Sequence, residues 1–275
     1  MGQHTKIEWC DSTLNIQAGC DGCELWNPKA GVRRCYAGNL TERHAGLKGW
    51  PVAFEQPRIF PERLAQALKW PDLTGKGRPE NPWLNGYPRL IFLNDMGDTF
   101  TESLPTEWLE PFVDPLAASN HILILLTKRP GRAVQFWQEW CRVRAEAIPQ
   151  NFWLLTSVTG PENVGRIREL LRLRTLGARV LGVSYEPAWG PVDFRPWLPA
   201  ESLEPNTLEQ NLRLARRDGA LDWLICGGES GAGAQPSHPD WFRAARDACQ
   251  AAMVPYFFKQ WGEWFPWREI HNWIP

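Results

Sequence analysis

Six short, almost continuously apolar runs recur along the chain, at residues 90–94, 121–128, 151–158, 179–186, 221–228 and 254–260. A strand with one wet face alternates apolar and polar residues, whereas a strand covered on both faces does not need to, so runs of this kind point to parallel strands buried between layers. The intervening stretches 106–119, 131–147, 162–173 and 238–252 carry helical spacing instead. Strands and helices alternating at roughly 30-residue spacing predict βαβ units. The expected fold is therefore α/β, a parallel (β/α) barrel that is either partial or TIM-like. Two stretches break the rhythm, near 70–88 and 196–220, and their Pro, Gly and polar content reads as surface insertions within one domain spanning 1–275.

The runs share a second property: each ends C-terminally in polar or reactive groups. The ends include Asn94, Asp95 and Asp98; Thr127, Lys128 and Arg129; Thr156 and Ser157; Ser184, Tyr185 and Glu186; Gly227, Gly228 and Glu229; and Lys259 and Gln260. In parallel β/α folds the C-terminal edge of the sheet is the active face, so six strands carrying such groups to one rim predict an enzyme.

Composition narrows the setting. The formal charge is -1 over 275 residues, which excludes a globally polyphosphate-binding surface but leaves room for a local basic groove. No run approaches the length of a membrane-spanning helix, and the first residues lack the basic-then-apolar shape of a secretory signal, so a soluble cytoplasmic protein with no membrane partner is expected. Seventeen tryptophans are assigned mainly to packing, with base stacking the minority reading.

Seven cysteines in a chain without an export signal favour metal binding over disulfides where they cluster. Cys20 and Cys23 are separated by two residues, and Cys35 follows after eleven more. The short run 14–19 precedes this loop and a helical stretch from Tyr36 follows it, which places the thiols on the same C-terminal rim. Thiolates suit soft metals, and three on one loop suit an iron-sulfur cluster with one open iron. Zinc with His44 as fourth ligand and unrelated buried thiols are the competing readings. Cys10 is a rival ligand, while Cys141, Cys226 and Cys249 read as packing residues.

Several segments together resemble a known family: 5–20 (TKIEWCDSTLNIQAGC), Cys35-Tyr36-Ala37, 126–130 (LTKRP), 184–187 (SYEP) with 190–192 (GPV), 227–231 (GGESG) and 258–263 (FKQWGE). They look like the phage-associated three-cysteine-motif family, which is regarded as similar to radical S-adenosylmethionine enzymes, including the spore photoproduct lyase group. This chain departs from that pattern at its second cysteine, which is Cys23 rather than a residue beside the Cys-Tyr-Ala triplet, where Val32, Arg33 and Arg34 stand.

The resemblance implies a barrel of the radical S-adenosylmethionine type and a 4Fe-4S cluster held by Cys20, Cys23 and Cys35. It further implies reductive cleavage of S-adenosylmethionine and hydrogen abstraction from a substrate, with nucleic acid or a nucleotide as the candidate class for repair or modification. An external electron donor and a three-Cys-motif partner protein follow as expected partners. On that reading Tyr36, Asp95, Asp98, Ser157, Ser184 and Glu229 are candidates for holding the cofactor, Lys128 and Arg129 for holding substrate, and Glu186 and Lys259 for catalysis. The alternative is a zinc-stabilised nucleic-acid-binding or defence module without catalysis.

Overall fold

Residues 2–199, 220–231 and 233–264 are described by a computed structural model. The chain opens with β1 (Ser12–Leu14), and the cysteine segment that follows carries two small antiparallel ladders. One pairs β2 (Gln17–Ala18) with β5 (Arg58–Ile59), and the other pairs β3 (Trp26–Asn27) with β4 (Val32–Arg33). Between them runs α1 (Tyr36–His44), and α2 (Leu64–Ala67) comes after β5. The regular alternation then begins: β6 (Leu90–Leu93), α3 (Glu110–Ala117), β7 (Ile122–Thr127), α4 (Pro130–Arg144), β8 (Phe152–Val158), α5 (Gly165–Leu171), β9 (Val180–Tyr185), β10 (Trp223–Gly227), α6 (Pro239–Ala251) and β11 (Tyr256–Gln260).

All six apolar runs are strands. They join β1 in one seven-stranded sheet of order β1-β6-β7-β8-β9-β10-β11, and every pairing in it is parallel. Strand order follows chain order without a switch, which is the order of a barrel rather than of a doubly wound sheet.

Side-chain parity divides the apolar residues into two layers. Ile91, Leu93, Leu123, Leu125, Leu154, Leu181, Val183 and Leu224 pack with residues of α3, α4, α5 and α6 in one large core. The alternate positions Leu90, Phe92, Ile122, Ile124, Leu155 and Ile225 form a second, smaller core on the opposite face with Trp9 and Cys10. Runs that look uniformly apolar are therefore two interleaved faces, each with its own partner.

The second core shows that the sheet curls. β1 and β10 are five places apart in strand order, a separation of about 24 Å in a flat sheet. Yet Trp9, just before β1, and Trp223, at the start of β10, have ring centroids only 6.1 Å apart. The sheet is a half-barrel with β1 and β11 as its edges; a closed barrel is not formed among the described residues.

The 70–88 insertion is mostly exposed and lies under the N-terminal end of the half-barrel, anchored by buried Leu84 and Arg78. Trp83 tilts against Phe257 of β11, and Tyr87 meets Trp153 of β8 edge-on. The second expected insertion, near 196–220, falls mostly outside the described residues. Among the described residues no helix is long and apolar enough to cross a membrane.

Candidate functional site

The segment that carries the three cysteines leaves β1 at the C-terminal end of the sheet and crosses the mouth of the half-barrel. Asn15 starts it, donating to Asp95 at 2.7 Å and accepting from the Met96 amide at 3.0 Å. The Gln17 amide donates to the Asn94 side-chain oxygen at 2.9 Å. Gly22 is left-handed, with φ of 98°, and a Cβ there would lie 2.3 Å from the Trp26 carbonyl, so the turn between Cys20 and Cys23 needs glycine.

Charged ties then fix the segment to successive strand ends. Asp21 accepts from the Thr101 hydroxyl and from the Ser103 amide, beyond β6. The Gly22 carbonyl accepts from Arg129, beyond β7, at 2.7 Å. Glu24 receives a fork from Arg166 of α5 at 2.8 and 2.9 Å. Arg34, next to Cys35, donates to Glu229, beyond β10, at 3.1 Å and stacks over the Trp189 ring. Burial would raise the Glu24 carboxyl, but the Arg166 hydrogen bond and the Lys128 charge outweigh it and hold it at about 2.

Beneath and within this strap lie the thiols. Cys20 is 6% exposed, and with Cys35 it belongs to a small apolar cluster of Ala18, Trp26, Ala37, Phe54, Phe60 and Met96. Burial pushes the Cys20 thiol up to about 11; Asp98 adds to the rise and Arg129, 3.5 Å from its sulfur, opposes it. Cys23 accepts a hydrogen bond on sulfur from the Leu25 amide at 3.4 Å. Cys35 is the N-cap of α1, where the Ala37 and Gly38 amides and the Lys128 charge favour its thiolate against a burial that raises its pKa.

This donor set suits a thiolate-bound cluster in kind: three soft sulfurs, two nearby cations and a helix N-terminus. Among the described residues no three His, Cys, Asp or Glu side chains converge on a point where one ion would sit. A cuboidal cluster spreads its thiolates over three separate irons, so it does not call for that convergence, whereas a single zinc does. His44 is engaged elsewhere, stacked on Trp50 with Nδ1 2.9 Å from the Leu40 carbonyl. Cys10 stands apart from the loop thiols, in the apolar core on the inner face of the sheet, where burial raises its pKa strongly.

The inner face of the strands supplies the rest of the site. Ser157 and Ser184 are register partners on β8 and β9, at positions whose parity continues the inner core. Glu186 and Lys259 meet at 2.6 Å across the β10 end, where Gly227 leaves room: a Cβ at that residue would lie 2.9 Å from the Glu186 carboxylate. Tyr36, half exposed, donates to the Asp95 carbonyl. Asp95 is largely buried, which raises its pKa. Asp95, Ser157, Ser184, Glu186 and Lys259 thus gather at the C-terminal ends of the strands, and half-exposed Tyr36 reaches Asp95 from the strap.

Three of the expected site residues have partners within the chain. Asp98 accepts from Phe100 N, the Thr127 hydroxyl, Lys128 N and Arg129, which leaves its carboxylate without a face for a ligand. Arg129, expected to hold substrate, is 13% exposed and turned onto the loop. Glu229 is 7% exposed and takes hydrogen bonds on Oε2 from Arg34, Trp189 and the Gln235 amide, so it latches the strap. Sequence reasoning missed Asp21, Glu24, Arg34, Arg166 and Trp189. The available signal was the charge flanking each thiol: Asp21 follows Cys20, Glu24 follows Cys23 and Arg34 precedes Cys35.

Fold and site together define a parallel α/β half-barrel whose mouth is crossed by a thiol-bearing strap. Within that class the chain belongs to the family described as protein of unknown function (DUF5131), matched over residues 4–272. Neither the curated proteins nor the solved structures yield a match.

Proposed function

We propose that this protein is a radical S-adenosylmethionine-type enzyme on a partial β/α barrel, with Cys20, Cys23 and Cys35 as ligands of a 4Fe-4S cluster. The observation that carries the reading is the position of the three thiols, brought by one strap over the C-terminal mouth of a seven-stranded parallel sheet. The resemblance to the phage-associated three-cysteine-motif family supports it. When bound, the cluster supplies an electron from an external donor for reductive cleavage of S-adenosylmethionine, and the carbon radical released removes a hydrogen atom from substrate.

The chain's own residues bind and orient. Ser157 and Ser184, adjacent on the inner face, are suited to the cofactor's carboxylate or ribose hydroxyls. Asp95, with Asn15 and Tyr36 beside it, is suited to its ammonium group. Glu186 and Lys259 neutralise one another at the substrate side and separate when a polar ligand offers each a better partner. Lys128 keeps positive charge over the mouth, suited to the phosphate of a nucleotide or nucleic-acid substrate. The strap itself excludes water from the space below.

Anaerobic reconstitution tests the proposal. Wild type is expected to bind iron and sulfide and, once reduced, to release 5'-deoxyadenosine from S-adenosylmethionine. Cys20→Ala, Cys23→Ala and Cys35→Ala are expected to lose the cluster while Cys10→Ala keeps it. One equivalent of zinc, no iron and no cofactor cleavage would instead establish the zinc-stabilised alternative.

A further inference from the structure

Among the described residues, Arg129 is the one buried cation seen to touch both a thiol and the strap that carries it. Its Nη1 lies 3.5 Å from the Cys20 sulfur and 3.2 Å from Asp98, and its Nη2 donates to the Gly22 carbonyl at 2.7 Å. Glu102, a largely exposed carboxylate, completes its surroundings at 3.8 Å. The residue is held from below as well. Its amide donates to the Thr127 hydroxyl at 2.9 Å, and that hydroxyl donates to Asp98 at 2.7 Å. Arg129 also caps the start of α4, and one turn on Arg132 pins the carbonyls of Phe100, Thr101 and Leu104. The guanidinium is thus held by several partners at once, with Nη1 shared between the Cys20 sulfur and the Asp98 carboxylate and Nη2 on the Gly22 carbonyl.

A fixed donor of this kind has an electronic consequence if the sulfur is a cluster ligand. Reduction adds one negative charge to a cluster, and a cation hydrogen-bonded to a ligand sulfur stabilises the reduced form more than the oxidised form. The buried setting keeps water from screening that effect. The adjacent Asp98 carboxylate acts in the opposite sense, and its charge weighs on Cys20 at least as much as that of Arg129, so the two together set the field at the sulfur.

We propose that Arg129 is a positioning residue that sets the reduction potential of the cysteine-held cluster through its hydrogen bond to Cys20, with Asp98 as the opposing charge. This rests on the cluster reading above and deepens it. Arg129 is accordingly no substrate contact. An arginine is suited to the place because its planar fork reaches the sulfur, the carboxylate and the Gly22 carbonyl from two nitrogens held in one plane, whereas the donors of an ammonium all radiate from a single atom.

Redox titration of the reconstituted protein, followed by the electron paramagnetic resonance signal of the reduced cluster, tests the proposal in four chains. Relative to wild type, Arg129→Gln is expected to lower the midpoint potential by the equivalent of a tenfold change in the reduction equilibrium, about 59 mV for one electron. Arg129→Lys keeps the charge and loses the fork, so its potential falls by less. Asp98→Asn removes the opposing charge and moves the potential upward. A merely structural role for Arg129 would change cluster content without producing shifts of opposite sign. Equal potentials in wild type, Arg129→Lys and Arg129→Gln, with iron and sulfide content intact, would overturn the proposal and leave the cluster reading standing. A wild-type chain that takes up no iron and sulfide would overturn both.

Discussion

The two ends of the half-barrel are closed by opposite means. At the N-terminal floor, the 70–88 insertion seats Trp83 and Tyr87 against Phe257 and Trp153, and its single buried cation is saturated. Arg78 binds Asp11 at 2.6 and 3.1 Å and also donates to the carbonyls of Lys76, Leu84, Tyr87 and Pro88. At the C-terminal mouth the cover is a strap tied by side chains from four different strand ends, and its thiols stand over a polar lining. The floor pairs its buried cation with Asp11 beside a small apolar assembly. The mouth gathers Glu186, Lys259, Lys128 and the buried pair Ser157 and Ser184, the groups that the proposed function assigns to ligands. On that proposal the two ends divide as in β/α barrels, with stability at one end and chemistry at the other.

The largest effect that tests this division lies at the floor. Replacing Arg78 leaves the Asp11 carboxylate buried without its partner, although the Leu90 amide still donates to it at 2.8 Å. Arg78→Met is expected to lower the free energy of unfolding by about 3–5 kcal/mol. Urea denaturation reads the loss, and iron content of the protein that remains folded should stay at the wild-type level. An unchanged urea midpoint together with lost iron would mean that the floor serves the site and not the fold.

Next in size is the mouth. Glu24→Gln removes a fork between two partly buried groups and is expected to cost about 1–3 kcal/mol, with the loss confined to the strap. Hydrogen exchange should show faster amides at 20–35 and unchanged ones in β7 and β8. The tie also sets a pH window. The Glu24 carboxyl is held at about 2 against an ordinary 4.5, so its contribution is fully present above 4.5 and is lost as the pH falls from 4.5 toward 2. Exchange protection in the strap should therefore step down across that range in wild type and show no such step in Glu24→Gln.

A smaller effect is expected at the far latch. Arg34 is one-third exposed in its ion pair with Glu229, and pairs of that exposure contribute about 1 kcal/mol or less. Arg34→Ala still leaves Glu229 with Trp189 and the Gln235 amide. The strap should loosen at 30–35 alone, with Cys35 alkylated faster than in wild type while Cys20 is unaffected. Equal acceleration at Cys20 would show that the strap moves as one body instead of being tied strand by strand.

What the sequence revealed and what it concealed follow the same line. Buried parallel strands need no alternation, so each apolar run announced its strand within a residue or two, and the polar ends announced the rim. The curl was hidden because Trp9 and Trp223 are 214 positions apart and only their contact shows it. Partnership was hidden for the same reason. Lys128 and Arg129 are neighbours with the same charge and the same place on the rim, yet Lys128 faces the mouth by strand parity while Arg129, one position on, is turned back onto Cys20. Nothing in their composition separates them. The floor insertion was legible as irregular chain, but the role of Arg78 depended on six acceptors that the sequence scatters between residues 11 and 88.

The smallest expected effect sharpens the comparison by pH alone. His121 stands at the N-terminal end of β7, 4% exposed, with Nδ1 unpartnered. Burial lowers its pKa from the ordinary 6.5, and the Arg89 charge adds to the fall, against weaker support from the Ala67 backbone and Asp72. The folded chain therefore binds this proton less readily than the unfolded chain does. Stability contributed by neutral His121 is present above 6.5 and declines as the pH drops below it, because the unfolded state alone is protonated there. Wild type should lose stability as the pH falls from 7 to 5, and His121→Gln should remove most of that slope in urea titrations. The mouth has its pH step only below 4.5, in Glu24. A protein whose floor yields first, near neutrality, and whose strap holds into acid has its thiol cover tied independently of the packing beneath; a single shared transition would mean that the two ends respond as one unit.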